Sequence, residues 1–85
     1  GQNGNLHSDY CTVFGEVKEV EDGGAICKIH IGSEDRIYYL NGATVYVYDR
    51  NKERVSVGSL SDVSPEDKIF VRIRRCGAEE VVLYR

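Results

Sequence analysis

Five side chains of this 85-residue chain could, by type, hold a metal ion or pair a nucleophile with a base: Cys11, Cys27, Cys76, His7 and His30. Structural zinc sites draw their ligands in closely spaced pairs from knuckles or helix turns. These five are scattered, and no two cysteines form a CxxC unit. Cys27 and His30 lie three apart in a run that reads as a strand, a spacing that turns them to opposite faces. No metal site is expected. A Cys–His dyad would also need a flanking Gly-rich elbow or an oxyanion loop, and the sequence offers neither. The chain is therefore expected to carry no catalytic residues and no cofactor.

Three cysteines cannot all pair within one chain, and a disulfide framework normally uses more, at an even count. They read as buried or half-buried thiols. One intrachain bridge is the alternative, so cysteine usage leaves the redox compartment open. Cys27 shares its alternation with Ala25, Ile29 and Ile31, which predicts an inward, unreactive thiol. The acid pairs Glu34-Asp35, Glu66-Asp67 and Glu79-Glu80 fall at predicted turns, where solvated charge explains them, and no EF-hand pattern is present.

Aromatic and basic side chains form the richer constellation. Strand alternation places Tyr46 with Tyr48, Phe70 with Arg72 and Arg74, and Val82 with Tyr84, each set on one face. If those strands are neighbours, Tyr46, Tyr48, Phe70, Arg72, Arg74 and Tyr84 make one interaction patch. Tyr and Arg are enriched at the hot spots of protein interfaces, and the chain holds six tyrosines. Tyr38, Tyr39, Tyr46 and Tyr48 fall on runs joined by Asn41-Gly42, predicted as adjacent strands with at least two of these rings facing outward together. The same patch could stack single-stranded bases beside arginines, as OB-type barrels do. Charge opposes that second use. The net charge is −3, and although residues 44–85 hold eight bases, they also hold seven acids; phosphate binding needs several charges neutralised.

The elements that must position these groups repeat with period two. Val13, Gly15 and Val17 alternate with Phe14, Glu16 and Lys18; Ala25 to Ile31 alternates after a turn at residues 21–24; residues 36–40 follow a turn at 32–35. These three runs predict a meander. Thr44–Asp49 is β-branched or aromatic up to its last residue. Residues 54–57 give a short return strand and residues 59–67 a loop with one short helical or 3₁₀ turn near 59–64, ended by Pro65. Lys68–Arg74 then alternates Ile69, Val71 and Ile73 inward, and residues 80–84 form the last strand. No segment sustains a helical stripe. The expected fold is all-β: a six- or seven-stranded antiparallel barrel, OB-like or related, because so small an open sheet would leave long unprotected edges.

Residues 1–9, polar and Gly-rich, read as a flexible linker or tail, and residues 10–85 as the single barrel domain. A chain opening on Gly1 reads as an excised domain or processed product. No window approaches ~18 consecutive apolar residues, so no membrane insertion is expected.

Five stretches carry a resemblance: Gly15-Glu16-Val17-Lys18-Glu19-Val20, Tyr38-Tyr39-Leu40, Thr44-Val45-Tyr46-Val47, Leu60 through Val71, and Val81-Val82-Leu83. Their order resembles the small β-barrel accessory modules appended to bacterial cell-surface proteins, including those with S-layer homology regions. The family pattern has Gly-Asp before its sixth strand; here it is Glu66-Asp67. The resemblance implies a non-catalytic accessory or spacer module at the cell surface or outside the cell. Its partners would be neighbouring domains of the parent protein or another protein. It lends no catalytic residue.

Overall fold

The structure, a computed structural model, describes residues 10–75 and 77–85. The expected tail at residues 1–9, His7 and Cys76 lie outside these. Seven strands form one mixed sheet: β1 (Tyr10–Glu21), β2 (Ile26–Ile31), β3 (Glu34–Tyr39), β4 (Thr44–Asp49), β5 (Arg54–Gly58), β6 (Lys68–Arg74) and β7 (Gly77–Tyr84). Across the sheet they run β3-β2-β1-β6-β7-β4-β5. Among the described residues the only helical elements are two 3₁₀ turns, Asp22–Gly24 and Leu60–Asp62. The second is the turn expected near 59–64.

β1 is the hinge of the architecture. Its first half pairs with β6, from Tyr10 opposite Arg74 to Glu16 opposite Lys68. Its second half pairs with β2, from Glu16 opposite His30 to Glu21 opposite Ile26. Two devices let one strand serve both. Gly15 sits where a Cβ would collide with the carbonyl oxygen of His30 and come 2.8 Å from the Ile29 side chain, so only glycine allows this approach. Lys18 is then an extra residue in a β-bulge between Val17 and Glu19, which bends the strand and shifts its phase. Val17 and Val20, three apart, therefore both turn toward the core. The Gly-x-Val-x-x-Val spacing is the written form of that bulge.

One core results. Val13, Val17, Cys27, Ile29, Leu40, Val45, Val63, Ile69, Val71, Val81 and Leu83 are buried together. Side chains from β2 and β4, separated in the ladder by three strands, meet in the same cluster, so the sheet coils around its apolar face. Leu60 and Val63, from the segment after β5, pack on that core. Ser59 and Asp62 hold their turn by a reciprocal capping box.

The structure departs from expectation in two respects. Five of the six strand pairings are antiparallel, but β4 and β7 run parallel, so the sheet is mixed rather than antiparallel. The cause is residues 59–67, which cross over the core instead of making a hairpin from β5 to β6. Nor are β3 and β4 neighbours: β3 lies at one edge and β4 next to the other. Leu40 is fully buried and its N–H donates to the Ala25 carbonyl at 2.7 Å, so burial of Leu40 pulls the chain across the molecule and Asn41-Gly42 turns a crossover, not a hairpin. Tyr38 packs on the core while Tyr39 points out, and neither joins Tyr46 and Tyr48.

Candidate interaction face

The strands that carry the expected patch are neighbours, in the order β6-β7-β4. Their registers line up outward side chains across five strands. Phe14 lies opposite Phe70, Phe70 opposite Val82, Val82 opposite Tyr46, and Tyr46 opposite Val57. The adjoining row runs Lys68, Tyr84, Tyr48, Val55. Tyr84 meets Phe14 and Tyr48 edge-on, each with ring centroids 5.9 Å apart, a geometry the ring quadrupoles favour.

Strand position decides which residues face solvent. Tyr46, Tyr48, Phe70, Val82 and Tyr84 sit mid-sheet and are half-buried by their neighbours. Phe14, Val55 and Val57 flank them and are 57%, 58% and 77% exposed. These three extend the face beyond its expected members. Only Phe14 announced itself, as an aromatic on the outward phase of β1; the valines lie in a short strand whose place beside β4 fixes their role.

The arginines stand at one end of this face. Arg72 lies opposite Glu80 in the ladder. Its guanidinium is 3.9 Å from both Glu79 and Glu80, and Arg74 is 3.4 Å from Glu79. The β-bulge that sets Glu79 between Ala78 and Glu80 puts two consecutive acids within reach of both cations. The face thus presents aromatic and apolar surface, with the positive charge of Arg72 and Arg74 matched by adjacent carboxylates.

The remaining candidates disperse. Among the described residues no group of three or more His, Cys, Asp and Glu side chains converges as a metal site would require. Cys27 is fully buried, and burial, reinforced by the charge of Asp67, pushes its thiol from 9.0 up to about 11. A thiol so held is a poor nucleophile. Cys11 is exposed. His30 is half-exposed on the outer side of β2, with Nδ1 2.5 Å from Asp35. A shallow depression on the outer side of β1, β2 and β3 is lined by Glu19, Glu21, Ile26, Lys28 and Ile37, and Lys28 pairs with Glu19 across it at 3.4 Å. No helix among the described residues is long and apolar enough to cross a membrane. No protein-family model, no curated protein and no solved structure matches the chain.

Proposed function

We propose that this chain is a non-catalytic accessory module, a small OB-like β-barrel of a bacterial cell-surface protein. It docks a neighbouring protein domain through the outer face of β1, β6, β7, β4 and β5. One observation carries the reading: the register row Phe14–Phe70–Val82–Tyr46–Val57, apolar or aromatic at every position, with its two end members more than half exposed. Monomeric proteins rarely leave contiguous apolar surface of this kind unless it binds something. Rigid aromatics with little rotamer freedom to lose are good anchors for a protein surface.

The competing use is single-stranded nucleic acid, which would stack bases on the same rings. The ion pairs of Arg72 and Arg74 with Glu79 and Glu80 weigh against it. A phosphate would have to displace those carboxylates, and few counterions would be released on binding. The test is a titration of labelled single-stranded oligonucleotides at low and physiological salt. The proposal expects no binding tighter than about 100 μM at physiological salt. Micromolar binding with a steep salt slope, lost on R72A plus R74A, would replace it by the nucleic-acid reading.

A further inference from the structure

The two edges of the sheet are guarded very differently. An edge strand offers unpaired N–H and C=O groups to any extended chain, and charged side chains are the usual protection. β3 opens with Glu34, Asp35 and Arg36, with Arg36 paired to Glu34 at 3.2 Å, ahead of the exposed Ile37 and Tyr39 of its second half. β5 has Val55-Ser56-Val57 between Arg54 and Gly58, with no charge in its middle. Val55 and Val57 both point to the outer side, 58% and 77% exposed.

We propose that β5 is the seam of a symmetric dimer: two copies of this chain pair antiparallel through their β5 edges, about a two-fold axis at Ser56. The register follows from the sequence of the strand. With Ser56 opposite its own copy, Val55 of one protomer faces Val57 of its partner, and the reverse, on the outer side. These are apolar cross-strand pairs between β-branched residues, which suit a pleated surface. On the other side, Arg54 falls opposite Gly58 of the partner, and no like charges oppose each other anywhere in the strand.

Charge complementarity favours a second copy over an arbitrary peptide. Arg54, Ser56 and Gly58 share the face of Asp49, Val47 and Val45, the side toward which Asp62 lies. A Cβ on Gly58 would be 2.7 Å from the Asp62 carboxylate. That acid therefore occupies the space where a side chain at position 58 would stand. In the dimer, Arg54 of each protomer reaches the Asp62 carboxylate of the other, twice over by symmetry. The segment that follows, residues 59–67, carries Asp62, Glu66 and Asp67 and no base, Asp67 being paired with Arg85, whereas the β4–β5 turn carries Arg50 and Lys52 beside Arg54, with Glu53 as its one acid. The antiparallel seam lays the basic turn of one copy along the acidic segment of the other. The dimer also joins the two apolar outer faces into one continuous sheet surface.

A seam this short buries less than a standard interface, so the association is weak and concentration-dependent. Sedimentation velocity from about 10 μM to about 1 mM should show a monomer–dimer equilibrium that higher salt weakens. R54E, which sets two acids against each other across the seam, should weaken dimerisation at least about tenfold. V57K, a change at an exposed position, should abolish it, while F14S on the outer face should leave it unchanged. In a half-labelled sample, intermolecular nuclear Overhauser effects should join Val55 to Val57. The proposal fails if the chain is monomeric throughout, if R54E and V57K dimerise like the parent sequence, or if F14S alone abolishes the dimer. The last result would place the contact on the outer face instead.

Discussion

Replacing Glu66 by glycine should stabilise this protein, although it removes a side chain and adds backbone freedom. Glu66 has φ of +76°, the left-handed region that costs an L-residue roughly 1–2 kcal/mol. Its surroundings hold it there. The Glu66 N–H donates to the Val17 carbonyl at 2.7 Å, and the Asp67 carbonyl accepts from the Val17 N–H at 2.9 Å. The Asp67 carboxylate in turn accepts from the Ser64 N–H and pairs with Arg85, Nη2 to Oδ2 at 3.1 Å. Leaving the left-handed conformation would thus break the joint between the crossover and the bulge of β1. Glycine adopts it without the steric cost but loses roughly 0.5–1 kcal/mol more entropy on folding. The net expectation is a gain of about 0.5–1 kcal/mol, or a rise of roughly 2–8 °C in melting temperature for a domain of this size. The assay is urea and thermal unfolding of the parent sequence, E66G and E66A. E66A keeps the strained backbone and removes the carboxylate, so it isolates the effect of charge. A variant E66G no more stable than E66A would refute the argument.

Further expectations can be checked with the same purified protein. G15A should destabilise by at least about 2 kcal/mol in urea, because its methyl group meets backbone rather than a yielding side chain. Cys11 should react with a thiol reagent at once and Cys27 only through rare opening; equal rates would mean that β2 has the opposite phase. Because the raised value belongs to the folded state, the native protein keeps the Cys27 proton between pH 9.0 and about 11. The unfolded chain has lost it there, so unfolding free energy should fall with rising pH across that window. A flat profile there would show that the thiol is not held as buried as described. Titration with single-stranded oligonucleotides should give no salt-dependent binding, because Arg72 and Arg74 already stand against Glu79 and Glu80.

Alternation made much of this fold legible in the sequence. Lys68–Arg74 is a strand over the residues expected, with Ile69 and Val71 inside, because every second residue there is aliphatic and the rest are not. The inward phase of Cys27 and Ile29 was readable for the same reason. What alternation cannot encode is which strands become neighbours. Asn41-Gly42 looks like a hairpin turn from sequence alone, and only the burial of Leu40 sends the chain across the core. The parallel pairing of β4 with β7 depends on the path of residues 59–67, whose turn signals are local. The candidate face inherits that limit. Its tyrosines and Phe70 could be named from outward phase, but Val55 and Val57 belong to it only because β5 lies beside β4. The bulge at Lys18 shows only as the three-residue spacing of Val17 and Val20, which breaks the alternation, and the left-handed Glu66 leaves no compositional mark.

The central claim is that the outer face of β1, β6, β7, β4 and β5 is covered by another protein domain when the module is at work. Hydroxyl-radical footprinting of the longer parent protein that the proposal requires, set against this chain alone, tests it most directly. The claim predicts that Phe14, Tyr46, Tyr48 and Tyr84 are oxidised several-fold more slowly in the parent, while Tyr39, 70% exposed on the far edge, reacts equally in both. Equal oxidation of all five rings in the two samples would contradict it.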